Sequence, residues 1–146
     1  MALCGEYEKV FSRTVKGSDV WRINHGEGCP VQVCDETAEL LTIALEVCEK
    51  SGGALDITIA PASDLWDFKS EQPKIPDRDQ LERAAKLVDY TKLKLEGDVV
   101  TMPAGMAIDL GAVAKGYIAD KAAEYLKEQG VTRAIPVSYT HLRAHE

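Results

Sequence analysis

The chain has 146 residues, 24 acidic against 17 basic side chains for a formal charge of −7, 45% hydrophobic and 6% aromatic residues, and four cysteines. One ordinary domain of this size buries about 68–70% of the surface that its unfolded chain exposes, so neither a disulfide nor a metal staple is required. The acidic balance, without a cluster of Lys and Arg, excludes the electrostatic footprint of a nucleic-acid binder, and no apolar run approaches the roughly 20 residues of a membrane helix.

In chain order, Glu6 to Phe11 closes a short helix, and Lys16-Gly17-Ser18-Asp19 makes a turn before a short apolar and aromatic segment ending at Ile23. Asp35 is the expected N-cap of a helix over Glu36 to Lys50, because Leu41, Leu45 and Cys48 fall on one face and Ser51-Gly52-Gly53 supplies the stop. Ala54 to Ile59 alternates with β-branched residues and predicts a strand. Pro61 to Pro76 has no period and carries Trp66, Phe68 and prolines, the profile of an ordered loop.

Asp77 followed three residues later by Gln80 predicts a capping box for a helix ending near Asp89. Leu93 and Leu95, then Val99 and Thr101, flank Glu96-Gly97-Asp98 and predict a hairpin. After a turn at Pro103-Ala104-Gly105, Met106 to Leu110 reads as a strand. A helix from Gly116 to Gln129 follows, with Ile118, Ala122, Tyr125 and Leu126 inward and Gly130 as its stop. Val131 to Ile135 would begin another strand.

Residues 137–146 show neither period and follow Pro136 abruptly. A back-translation of these ten resembles a transposon-end adapter of short-read sequencing libraries. The expectation is therefore a native part spanning 1–136 and a non-native tail, 137–146, which removes His141 and His145 from any catalytic argument. A natural polar tail is the other reading.

Two stretches could carry chemistry. Ile108-Asp109-Leu110-Gly111-Ala112-Val113-Ala114-Lys115-Gly116-Tyr117 reads as strand, small-residue turn and helix. Backbone N–H groups at such a helix N-terminus, with the charge of Lys115, suit an anion such as a diphosphate. An ordinary strand-to-helix turn would look similar, and Asp109 could either cap the helix or contact a metal, a ribose or a flavin edge. In Ser51-Gly52-Gly53-Ala54-Leu55-Asp56 the glycines either admit a ligand, with Asp56 accepting from a ring N–H or a hydroxyl, or simply form a Schellman-type stop. Cys29, Cys34 and His25 lack the second ligand pair that a zinc site needs, and nothing orients a Cys–His nucleophile.

In order along the chain, Phe11-Ser12-Arg13, Ile23-Asn24, Glu49 to Thr58, Asp64-Leu65-Trp66 and Ile108 to Tyr117 resemble the ApbE family of FAD:protein FMN transferases over almost all of residues 6–136. The resemblance implies a truncated α+β, T-fold-like flavin transferase fold, a mixed sheet with packed helices. It implies Mg²⁺-dependent transfer of FMN from FAD to a Thr or Ser hydroxyl of a target protein, releasing AMP. Position by position, it makes Ala54, Leu55, Asp56, Asp109 and Lys115 cofactor contacts, and Ala112 a Mg²⁺ ligand through its backbone carbonyl. Thr14 falls where many relatives place an aromatic FAD contact, so that contact departs from the pattern.

The family's other metal ligands, an Asp and a Thr, are expected beyond Ile135, so the fragment alone is expected to bind Mg²⁺ poorly and to transfer little FMN. The acceptors implied are flavoprotein subunits of membrane redox complexes such as Na⁺-translocating NADH:quinone oxidoreductase. Met1-Ala2-Leu3-Cys4 has no apolar run before Cys4, so no export signal is read in this chain. The intact protein is expected to be exported, membrane-anchored or periplasmic. The alternatives to transfer are a Mg²⁺-dependent FAD pyrophosphatase giving FMN and AMP, and a non-catalytic flavin-binding module.

Overall fold

The computed structural model describes residues 2–66 and 75–133. Helices α1 (Ala2–Phe11), α2 (Asp19–Asn24) and α3 (Asp35–Lys50) precede a short α4 (Ala60–Ser63) and α5 (Arg78–Ala85), and α6 (Gly111–Glu128) is the longest. The strands β1 (Val31–Gln32), β2 (Lys94–Glu96) and β3 (Val99–Thr101) form an antiparallel sheet in the order β1-β3-β2. The expected hairpin is β2–β3, with Glu96 opposite Val99. Gly97 makes its turn possible with φ +63°, a left-handed conformation that costs glycine little.

The core sits where α3 crosses the sheet and α6. Leu40, Leu41, Ala44 and Cys48 of α3 are fully buried together with Ile57, Ile108 and Val100, each leucine contributing about 1.5–3 kcal/mol by its burial. At one end Tyr7 stacks on Phe11 with ring centroids 5.4 Å apart, and Phe11 meets the edge of Tyr117 at 5.7 Å. The Tyr117 hydroxyl donates to Glu39 Oε2 at 2.5 Å, tying α6 to α3. Burial and that carboxylate together push the Tyr117 phenol well above its usual range.

The glycine pair after α3 is a helix stop. Gly53 N–H reaches Cys48 O and Gly52 N–H reaches Glu49 O, both at 2.9 Å, with Gly52 at φ +63°, the double closure of a Schellman motif. Gly130 and Val131 close α6 in the same way onto Lys127 and Leu126.

Several sequence expectations are corrected. Cys34, not Asp35, is the N-cap of α3, and it makes no side-chain cap bond. The carboxylate comes instead from α2: Asp19 Oδ2 accepts from Cys34 N–H and from the buried Thr37 hydroxyl, each at 2.8 Å, while Arg22 donates to Oδ1. Asp77 caps α5 without a side-chain hydrogen bond, so the capping box does not form. Helix α6 begins five residues earlier than its glycines suggest, buries Ala114 and Tyr117, and leaves Tyr125 exposed. Residues 54–59 and 106–110 are not strands; one parallel bridge, Ile59 to Ala107, joins them. Residues 131–133, where a further strand is expected to begin, are not strand, and Phe68, residues 134–135 and the tail 137–146 lie outside the described residues.

Candidate functional site

The segment 106–110 is held on two sides. Asn24, the last residue of α2, donates from Nδ2 to Ile108 O at 3.0 Å and accepts Ile108 N–H on Oδ1 at 2.7 Å. On the opposite side Asp109 N–H donates to Ile57 O at 2.8 Å. A side-chain amide thus stands where a neighbouring strand would, which is why alternating residues alone mislead here.

This clamp delivers Asp109 to the start of α6. Its Oδ1 accepts Gly111 N–H at 2.8 Å, and Arg13 Nε lies 3.4 Å from Oδ2. Asp109 thus meets the first N–H of α6 from the position before its N-cap, Leu110, which makes no side-chain cap bond, while the Asp109 side chain stays 33% exposed. The N–H groups of Val113 and Ala114 return to Leu110 O, and that of Ala112 has no acceptor among the described residues. An exposed N–H at the positive end of an 18-residue helix favours an anion.

Leu55, Asp56, Asp109, Gly111 and Ala112 line one cavity of about 240 Å³, so four of the six expected site residues meet. Ala54 is exposed just before this wall. Lys115 is exposed one turn into α6, and its spacing puts it on the face of Gly111 and Ala112.

Asp56 works internally. Its Oδ1 accepts from Thr58 N–H at 2.8 Å and the Thr58 hydroxyl at 2.6 Å, and its Oδ2 accepts Tyr90 N–H at 3.0 Å. Thr58 Oγ1 in turn accepts Asp89 N–H at 2.8 Å. These bonds wind 56–58 into a turn and draw in the chain after α5, replacing the ladder bonds of the expected strand. Of roughly four acceptor positions on the carboxylate, three are taken.

Arg13 was not singled out as a site residue by sequence reasoning, and neither was Asp64. Besides Asp109, Arg13 pairs through Nη1 with Asp64 Oδ1 at 2.5 Å. It lines a second cavity of about 300 Å³ with Thr14, Asn24, His25, Asp64 and Ala107. No local period reports such pairings, because Arg13 lies 51 residues from Asp64 and 96 from Asp109 in sequence. Among the described residues no three His, Cys, Asp or Glu side chains gather as a metal site, and Cys29, Cys34 and Cys48 are free thiols. No described helix is long and apolar enough to cross a membrane.

The fold and the site define an α+β domain organised around a strand-like segment that turns into a helix N-terminus, with carboxylates and an arginine at the junction. The model of the ApbE family matches residues 1–137, and the chain belongs to that family. It is 33% identical to the FAD:protein FMN transferase of Treponema pallidum over 91% of this chain and 39% of that protein. It is 31% identical to that of Klebsiella pneumoniae over 91% of this chain and 43% of that protein. The chain thus spans about two fifths of the length of these relatives. Its structure is similar to the Pseudomonas stutzeri flavinyl transferase ApbE in its apo form, with TM-score 0.81 and 28% identity over 89% of this chain and 42% of that one. It is similar also to the ApbE protein of Thermotoga maritima, with TM-score 0.79 and 31% identity over 86% of this chain and 43% of that one.

Proposed function

We propose that this chain carries the FAD-binding part of an enzyme that transfers FMN from FAD to a Thr or Ser hydroxyl of a target protein. The observation that carries the reading is the meeting of Asp109, Ala112 and the wall at Leu55 and Asp56 on one cavity, in a family whose relatives bear the name FAD:protein FMN transferase. In the reaction the hydroxyl oxygen bonds to the phosphorus on the FMN side, the bond to AMP breaks, and the hydroxyl proton is lost to a base.

The residues divide the work by position. The start of α6 and Lys115 face the diphosphate charge. Asp109 accepts from a ribose hydroxyl or a flavin N–H, held in orientation by Gly111 and Arg13. Leu55 and Asp56 form the opposite wall, with Ala54 exposed at its rim. Magnesium dependence is part of the proposal, since a hard cation neutralises diphosphate oxygens. The described residues do not make its site by themselves; the Ala112 carbonyl is the ligand assigned here. The proposed acceptors are flavoprotein subunits of membrane redox complexes such as Na⁺-translocating NADH:quinone oxidoreductase, met outside the cytoplasm.

Titration of the 146-residue chain with FAD tests the reading. Losing a charged hydrogen-bond acceptor at a ligand costs about 1.5–3 kcal/mol, so Asp109→Ala should weaken binding on the order of tenfold to a hundredfold. Absent binding, or binding indifferent to Asp109→Ala, overturns the proposal; indifference to Mg²⁺ as well, in the full-length protein, marks a non-catalytic flavin module. Release of FMN and AMP by the full-length enzyme given FAD alone marks a pyrophosphatase. Labelling of a threonine-containing acceptor by these residues alone is expected to be negligible.

Gly111→Ala separates geometry from stability. A Cβ there would stand 3.0 Å from Asp109 Oδ1, so the carboxylate must move, although the backbone accepts alanine. Unfolding free energy should stay within about 0.5 kcal/mol of the parent, while FAD affinity falls severalfold. Unchanged affinity would show that the orientation of Asp109 is irrelevant to binding.

A further inference from the structure

The second cavity contains an aromatic platform. His25 stacks on Trp21, with ring centroids 4.0 Å apart and planes 18° from parallel. The contact of His25 Nδ1 with Trp21 O at 2.7 Å fixes the ring's orientation. One face of the imidazole is thus occupied by indole, yet the residue is exposed and lines the cavity beside Arg13 and Asn24. It is the one ring among that cavity's described lining, because Thr14 supplies none.

The two cavities share one short segment, Ala107 lining the second and Asp109, two residues on, the first. Arg13 lines the second and pairs with Asp109 of the first. A ligand with an anionic middle and a planar end therefore has a place for each part.

Resting on the FAD reading above, we propose that His25, backed by Trp21, is the stacking platform for one planar heteroaromatic ring of the bound dinucleotide. Stacking on an aromatic side chain is worth about 1–3 kcal/mol per base by alanine substitution, which is roughly 5- to 150-fold in affinity. An imidazole already held by indole needs no further ordering, so little of that gain is lost to side-chain entropy.

Isothermal titration of the full chain with FAD, ADP and FMN, in the parent, His25→Ala and His25→Phe, tests the assignment. Expected is a loss of FAD affinity of fivefold or more in His25→Ala and recovery to within about threefold in His25→Phe, which keeps the ring but not the Nδ1 contact. A parallel loss for ADP places adenine on the platform, and one for FMN places isoalloxazine there. Thermal melts run alongside separate a lost platform from lost folding, since His25 also closes α2 and stacks on Trp21; the parent and His25→Ala are compared well below both midpoints. If the parent binds FAD and His25→Ala binds it equally well, the platform is refuted and the FAD reading stands. If the parent binds none of the three ligands, the FAD reading falls and the platform with it.

Discussion

Asp56→Ala is expected to lower the stability of this chain by about 2–4 kcal/mol, because it leaves buried groups without acceptors. Thr58 is fully buried, and both its hydroxyl and its N–H donate to Asp56 Oδ1, while Tyr90 N–H donates to Oδ2. A fall in Tm on the order of 10 °C is the corresponding signal in a thermal melt. Asp56→Asn should fall between the two, since an amide keeps one acceptor for Thr58 but turns a donor toward Tyr90 N–H. The outcome bears on function. A binding defect in Asp56→Ala would ordinarily be taken as a lost ligand contact, whereas here the same substitution dismantles the wall behind the cavity. Asp109, whose carboxylate accepts one backbone N–H and pairs with Arg13 at the surface, should show the reverse balance, with a smaller fall in Tm and binding impaired. An Asp56→Ala protein that melts with the parent would refute the scaffold role.

The second large effect is expected at Asp19. Burial alone would raise its pKa, but the hydrogen bonds from Cys34 N–H, Arg22 and Thr37 outweigh it and hold the carboxyl below its ordinary 3.8. A group depressed on folding contributes stability above its unfolded pKa and loses it as pH falls through the folded value. Asp19→Ala should therefore cost about 2–4 kcal/mol near neutrality, where the charged acceptor and the packing of Thr37 are both lost. The gap between parent and variant should begin to narrow as pH drops below about 4, where the unfolded chain's carboxyl takes up its proton, and narrow further toward the lower folded value. Urea melts from pH 7 to pH 3 read both. A constant gap across that range would mean that the carboxylate's charge plays no part in joining α2 to α3.

These two aspartates show where the sequence was readable and where it was not. Helix α3 was legible because Leu41 and Cys48 repeat with the helical period and Gly52-Gly53 ends it. The β2–β3 hairpin was legible because Gly97 sits between two alternating apolar pairs. Both signals are local. The cap of α3 was assigned to Asp35, the nearest carboxylate in sequence, but Asp19 reaches it from 15 residues upstream of Cys34. Residues 54–59 and 106–110 have strand-like composition, yet their backbone groups are met by Asp56 and by Asn24, the latter 84 residues from Ile108.

Four of the expected site residues did meet on one cavity because the motifs containing them end at the elements that line it. Arg13 and the His25 platform are not legible as site features in the sequence, since each gains meaning only from partners distant in sequence or from a ring stack that composition does not reveal. The start of α6 was misplaced for a different reason. Gly111 and Gly116 lower helix propensity, and the carboxylate that compensates at the first of them belongs to the preceding residue but one.

The Asn24 amide also bears on how the chain avoids its own copies. Ile108 would otherwise present an N–H and a carbonyl along an open edge, the pattern to which a stray extended segment adds itself. With both groups already engaged by one side chain, an incoming segment must break two hydrogen bonds before it can form any. The residue that sets the position of Asp109 thereby also closes the backbone groups of Ile108 to further pairing.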